Sequence, residues 1–202
     1  MTLPLTHECF ETPVGDLSVF ASEDGVVRAA GFSPAAKVAA QLPPDLLADG
    51  WSPGALPHVR EAVEAWLDGD GAAIATVPVC QEGGPFFQDV WEATRDIQPG
   101  QPQSYQEVAA AAGRPRAMRA AGTACGRNSI ALFVPCHRVI ASGGRLGQYG
   151  PGGVGIKAAL LAFEAGWSDA AVLRAGREAH PDDAAPAVGV ARLGASDAGG
   201  GR

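Results

Sequence analysis

Residues 130–140 read Ile-Ala-Leu-Phe-Val-Pro-Cys-His-Arg-Val-Ile, and no other stretch limits the fold as much. Apolar residues crowd both sides of Pro135-Cys136-His137-Arg138, so the segment is backed by a packed core. A thiol reacts as its thiolate, and nearby positive or hydrogen-bonding groups make the thiolate easier to form. A reactive group supported by a core keeps its geometry, which makes Cys136 the candidate nucleophile. The plain alternative is a buried cysteine acting as a small hydrophobe. The neighbours, not the cysteine alone, favour chemistry.

With 202 residues and 47% hydrophobic residues, the chain has material for one large domain or two small ones. No apolar run approaches the roughly 20 residues of a membrane span. Met1 to Thr6 has neither a basic head nor a long apolar middle, unlike a secretory leader. These features predict a cytoplasmic protein without a membrane partner. Four cysteines (Cys9, Cys80, Cys125 and Cys136) are too sparse for a disulfide scaffold. The spacing of His7, Cys9, His58 and Cys80 matches no tight zinc motif, so neither a metal nor a cofactor is expected.

Charge is unevenly spread. The net value of −7 by itself argues against a nucleic-acid partner. Residues 1–84, however, carry 3 basic against 12 acidic residues, residues 85–166 carry 8 against 5, and residues 167–202 carry 4 against 5. Cys136 lies in the only net-basic segment. Such asymmetry is a weak pointer to nucleic acid.

The punctuation predicts an α+β chain in three parts: an N-terminal α/β domain over 1–84, a helical domain over 85–166, and a disordered tail over 167–202. In the first part, Phe10–Thr12, Leu17–Ala21 and Val26–Phe32 read as short β runs joined by turns at Pro13–Asp16 and Ser22–Gly25. A short helix is expected over 35–41 and a loop over 42–56. A helix follows from Pro57, with Val59, Val63, Trp66 and Leu67 on one face, and a last strand over Ile74–Val79. In the second part, one helix runs from Phe86 to near Ile97. Ser104 caps the next, with Glu107 three residues on. Gly113-Arg114-Pro115 turns the chain into an alanine-rich helix from Arg116 to Cys125. Helix, short glycine turn, helix is the helix-turn-helix outline, which also serves as a plain packing unit. A glycine-dense loop, Gly143 to Gly153, lacks a phosphate-binding fingerprint, and a final helix spans Ile156 to Glu164.

Together these pieces resemble the O(6)-alkylguanine-DNA alkyltransferases, also called methylated-DNA–protein-cysteine methyltransferases. The resemblance runs from Gly84 to Glu164. It rests on Gly-Pro-Phe-Phe-Gln-Asp-Val-Trp at 84–91, Pro-Gly-x-x-x-Ser-Tyr at 99–105, Arg119-Ala-Ala-Gly122, and Asn128. It continues through Pro-Cys-His-Arg-Val-Ile at 135–140, Leu146-Gly147-x-Tyr149, Lys157 and Glu164. It implies a ribonuclease-H-like plan for the N-terminal part and a winged-helix or helix-turn-helix plan for the second. It implies a monomeric repair protein acting once on double-stranded DNA that bears alkylated bases, at O(6) of guanine and O(4) of thymine. The base would be flipped out through the minor groove, because a nucleophile cannot reach its target inside the stack.

The resemblance also assigns roles. Cys136 accepts the alkyl group, and His137, through a water held with Glu164, draws the thiol proton. Tyr105 crowds the target phosphate and offers its hydroxyl to the leaving guanine. Arg119 fills the gap in the stack, with Ser104 and Ala120 also on the DNA side. Asn128 holds the turn before the active-site segment. The carbonyls of Cys136 and Val139 read the guanine amino group, and Tyr149 and Gly150 wall the pocket. Ser129 stands where the family usually has proline. The loop before Lys157 is one residue longer, which bears on Gly150. Other readings of the same residues are a lesion-binding relative without chemistry, a Cys/His hydrolase and an alkylation-sensing transcription factor.

Overall fold

The computed structural model describes residues 4–166. The predicted tail lies outside the described residues.

Three antiparallel strands open the chain: β1 (Leu5–Phe10), β2 (Leu17–Ala21) and β3 (Val27–Gly31). They pair as a meander, Phe10 opposite Leu17 and Ser18 opposite Gly31. Gly25 supplies the positive φ of +80° that the β2–β3 turn requires. All five residues of β2 are buried, because both faces of the sheet are covered, and this is why Leu-Ser-Val-Phe-Ala lacks alternation. On one face α1 (Ala35–Ala39) seals a small cluster of Leu5, Phe20, Ala29 and Val38. The other face packs on α2 (Pro57–Leu67) through Val59, Val63 and Trp66. Proline at the start of α2 gives up an amide that would have no helical partner.

Three expectations for this part change. The first strand begins at Leu5 rather than Phe10. The segment read as a loop over 42–56 contributes β4 (Trp51–Pro53), which lies parallel to β1 at the sheet edge. The strand expected over Ile74–Val79 is instead a 3-10 turn over Ala73–Thr76, followed by a single bridge from Val79 to Val27. Arg95 donates to the carbonyls of Ala75 (2.6 Å) and Val77 (3.0 Å), so these acceptors are satisfied without a neighbouring strand.

Helices dominate the second part: α3 (Pro85–Arg95), α4 (Tyr105–Ala111), α5 (Met118–Gly126) and α6 (Gly153–Glu164). Ser104 and Glu107 form the reciprocal capping box of α4, with Glu107 N donating to Ser104 Oγ (3.2 Å) and Ser104 N to Glu107 Oε2 (2.7 Å). Trp91 of α3 donates to the Ala124 carbonyl of α5 at 2.9 Å and fixes that pair. Two short strands, β5 (Gln103–Ser104) and β6 (Val139–Ile140), lie parallel. They tie the cap of α4 to the chain just after Cys136.

One apolar core runs through both parts, from Val19 and Trp66 to Ile130, Phe133 and Leu160. Strand β3 grips the functional segment directly: Ala30 N donates to Ser129 O and Ala131 N to Ala30 O, both at 2.8 Å. Phe32 N donates to Pro151 O at 3.0 Å. The sheet therefore positions both the chain entering the Cys136 segment and the glycine loop beyond it.

Candidate active site

Ile130 to Val134 are fully or almost fully buried, and their packing holds Leu132 at φ +69°. A bulky side chain in that region costs about 1–3 kcal/mol and persists only where the surroundings over-determine it. The result is a rigid shelf ending at Cys136, whose amide donates to Val134 O at 2.8 Å. Cys136 opens a 3-10 turn, Cys136–Arg138, so consecutive side chains point in different directions. The structure exploits this: Cys136, His137 and Arg138 are all buried, and each has its own partners.

Asn128 organises the thiol. Its Nδ2 donates to Val134 O (2.8 Å) and to Cys136 Sγ (3.0 Å). Its Oδ1 accepts from Ile130 N (3.0 Å) and from Gln81 Nε2 (3.0 Å). Gln81 also accepts from Ser129 N and Ser129 Oγ, so the turn without proline is held by a side chain from the segment just before α3. Burial pushes the Cys136 thiol up. The Asn128 hydrogen bond and the Lys157 ammonium pull it back only partly, so the resting group is a thiol.

His137 is completely buried, and burial lowers its pKa, so it is held neutral. Its Nε2 lies 3.1 Å from Glu164 Oε1, off the ideal hydrogen-bond line, and Nδ1 has no hydrogen-bond partner. Glu164 is not a solvated helix end: its side chain is 1% exposed. Arg138 donates to both its oxygens, Nε to Oε2 (2.9 Å) and Nη2 to Oε1 (2.7 Å), and Trp66 Nε1 approaches Oε1 at 3.2 Å. Burial alone would raise this carboxyl. The His137 contact and the Arg138 guanidinium outweigh it and bring the pKa down to about 2.

Arg138 also donates to Ile97 O (2.6 Å) and Gly71 O (3.0 Å). Its charge is thus committed to Glu164 and two carbonyls, and it is not the cation that favours the thiolate. That cation is Lys157, which sequence reasoning quoted without a role. Lys157 is fully buried, its Nζ donates to Val139 O at 2.6 Å, and it sits 5.8 Å from the centre of the Tyr105 ring. Burial lowers its pKa to about 8, while Cys136 and Cys125 act to raise it. The signal was present: a lone cation within Gly-Val-Gly-Ile-Lys-Ala-Ala-Leu-Leu-Ala-Phe has no business in an apolar helix without a buried partner.

The remaining predicted residues fall into two groups. Tyr105, Val139 and Tyr149 gather with Cys136. The Tyr105 hydroxyl is pushed up to about 12 by burial, then by Cys125 and Cys136. A side chain at Gly147, which has φ +69°, would come within 3.2 Å of that hydroxyl, so glycine there keeps the space open. Tyr149 is buried edge-on to the His137 ring, and its hydroxyl has no hydrogen-bond partner. Cys125 is buried and is affected by the charges of Cys136 and Lys157. Arg119 and Ala120 stand apart near the start of α5, and Ser104 caps α4. Arg119 is exposed, beside Met118 at 43% exposure. Gly150 lines an open cleft next to Gly126, Arg127 and Asn128. Among the described residues no three His, Cys, Asp or Glu side chains come together as metal ligands, and no helix is long and apolar enough to cross a membrane.

Fold and site define an α+β protein with a buried cysteine hydrogen-bonded to Asn128, followed in the chain by a buried histidine that lies against a carboxylate. The family model described as "6-O-methylguanine DNA methyltransferase, DNA binding domain" matches residues 85–166. The constitutive methylated-DNA–protein-cysteine methyltransferase of Bacillus subtilis is 39% identical over 109 residues, 54% of this chain and 66% of that protein. The methylated-DNA–protein-cysteine methyltransferase of Methanosarcina acetivorans is 35% identical over 161 residues, 78% of this chain and 97% of that protein. The crystal structure of the Mycobacterium tuberculosis protein OGT in complex with DNA superposes with a TM-score of 0.65 at 30% identity, covering 84% of this chain and 99% of that one. The chain belongs to the methylated-DNA–protein-cysteine methyltransferase family.

Proposed function

We propose that this chain repairs double-stranded DNA by moving a methyl or other alkyl group from O(6) of guanine, and from O(4) of thymine, onto Cys136. The observation that carries the reading is the thiol itself. Cys136 Sγ is buried, takes a hydrogen bond from Asn128 at 3.0 Å, and has beside it a neutral histidine with an unpaired Nδ1. His137 is the neutral base next to Cys136 in the chain, and a single water between them is the proposed route for the thiol proton.

In the proposed step His137 Nδ1 receives the Cys136 proton through a water. The sulfur attacks the alkyl carbon while the carbon–oxygen bond breaks, and the electron pair leaves on the guanine. Tyr105 supplies a proton to the leaving base. Glu164, kept ionised by Arg138, stabilises the imidazolium that forms, as a buried carboxylate does for a catalytic histidine elsewhere. Lys157 balances the transient thiolate. The carbonyls of Cys136 and Val139 meet the guanine amino group, and Tyr149 walls the pocket. Because the thioether is stable, each molecule reacts once.

Access requires the base to leave the stack. Arg119, exposed on α5, is the side chain proposed to fill the gap, with the Ser104 cap and Ala120 against the strand. Small residues on that helix allow close approach to the groove. The strand order β3-β2-β1-β4, with β4 parallel to β1, supports the ribonuclease-H-like plan for the first part.

The test is intact-mass measurement after incubation with duplex DNA carrying O(6)-methylguanine. One methyl group per molecule, located on Cys136 by peptide mapping and absent from Cys136→Ser, is the expected result. Tight binding with no mass change would refute transfer, and release of product over many turnovers would refute the single-use acceptor.

A further inference from the structure

One broad cavity is not lined by Cys136. It is an open cleft of about 850 Å³ between α1, the segment before α3 and the end of α5. The acidic first part of the chain has only three basic residues, Arg28, Lys37 and Arg60, against twelve carboxylates. Arg60 is paired with Glu8. The other two both line this cleft, and Arg127, which follows the last turn of α5, faces them from the second part. Asp45 and Glu82 lie on the same wall, yet among the described residues no carboxylate comes within 4 Å of Arg28, Lys37 or Arg127. Arg28 is steadied by its Nε bond to Ser22 Oγ (3.2 Å), and Arg127 by the Phe87 ring at 5.8 Å. Asp24, bonded to the same Ser22 Oγ, offsets part of the Arg28 charge, while Lys37 and Arg127 carry no ion pair among the described residues.

We propose that this cleft binds backbone phosphates of the DNA strand flanking the lesion. The inference rests on the DNA-binding reading above. Arg127, the residue that caps the end of α5, lies eight positions beyond Arg119, about 12 Å along the helix at 1.5 Å per residue. A duplex advances about 3.4 Å per base pair. A strand running along α5 from Arg119 would reach Arg127, on the cleft wall, within about four base steps. Gly126 on the cleft wall has open space where a side chain would stand, which leaves room for a backbone to come close. The site contributes affinity and register, since phosphate contacts position a duplex without reading its sequence.

The experiment measures binding of a lesion-free duplex as a function of salt, for the full chain and for Arg28→Gln, Lys37→Gln, Arg127→Gln and the triple variant. Each phosphate contact adds about 0.9 to the slope of log K against log salt. The triple variant should flatten that slope by 2 to 3, while reaction with free O(6)-methylguanine base, which has no phosphate, stays at the wild-type rate. Exposed Cys80 lines the cleft and exposed Cys9 does not, which gives a second readout. Duplex DNA should slow iodoacetamide labelling of Cys80 but not of Cys9, and inorganic phosphate alone should not. An unchanged slope in the triple variant, or equal protection of Cys80 by inorganic phosphate, would overturn the proposal. Failure of the wild-type chain to bind any duplex would instead sink the DNA reading itself.

Discussion

Replacing Arg138 by methionine tests whether the site is assembled around one buried charge. The guanidinium donates four hydrogen bonds, two to Glu164 and one each to Ile97 O and Gly71 O, and it is 3% exposed. Methionine keeps much of the volume but strands a buried carboxylate and two carbonyls. Removing one partner of a buried ion pair costs about 3–5 kcal/mol, chiefly through the charge left behind. Acid titration reports on all the surroundings of Glu164, burial opposed by the His137 contact first and then by Arg138. Glu164 falls from an ordinary 4.5 to about 2 in the folded protein, which corresponds to about 3 kcal/mol. A depressed carboxyl contributes above its unfolded pKa, so the Glu164 contribution should be full above pH 4.5 and decline as pH falls from 4.5 to 2. His137, lowered by burial, adds to the acid loss as pH falls below 6.5. Urea unfolding at pH 7 should show Arg138→Met destabilised by about 3–5 kcal/mol, with a flatter stability profile below pH 4.5. The double variant Arg138→Met/Glu164→Gln should regain part of that loss, because the stranded charge is gone. A loss below about 1 kcal/mol, or a double variant worse than the sum of its parts, would refute the argument.

Asn128→Ala removes four hydrogen bonds, three of them buried, and should cost about 3 kcal/mol in the same assay. It also removes a group that lowers the Cys136 pKa, so the transfer rate at pH 7 should fall and partly recover by pH 9. A rate that stays equally low at both values would mean Asn128 acts only through folding. Lys157→Met separates stability from chemistry. An ammonium whose folded pKa is about 8, against 10.5 unfolded, destabilises the protein below pH 8, and that penalty disappears as pH rises from 8 to 10.5. The variant should therefore be at least as stable as wild type at pH 7 yet transfer more slowly by tenfold or more. Equal activity would remove Lys157 from the thiolate's surroundings.

Much of this architecture could be read from the chain, and the exceptions share one cause. Helices α2 and α3 announce themselves with proline at the first turn and a single apolar face. The Ser104–Glu107 box starts α4 by contacts within four residues. Cys136, His137 and Asn128 lie within nine positions of one another, so the core of the site is nearly local. What escaped reading depends on partners far along the chain. Strand β4 is three exposed residues whose only reason to be extended is the edge of β1, over forty positions earlier. Ile74 to Val79 has the composition of a strand, but Arg95 from α3 satisfies its carbonyls in a different conformation.

The two charges beside Cys136 teach the same lesson more sharply. Arg138 follows the reactive residue by two positions, and proximity in sequence suggests that it supports the thiolate. The 3-10 turn sends it the other way, to a carboxylate 26 residues on and a carbonyl 67 residues back. Lys157 is 21 positions from Cys136 and supplies the positive charge instead, through a helix that buries it for that purpose. A cation buried at a stability cost is kept where it does something that methionine could not. The contrast between Arg138→Met, expected to lose about 3–5 kcal/mol of stability, and Lys157→Met, expected to fold well and react poorly, assigns one charge to architecture and the other to chemistry.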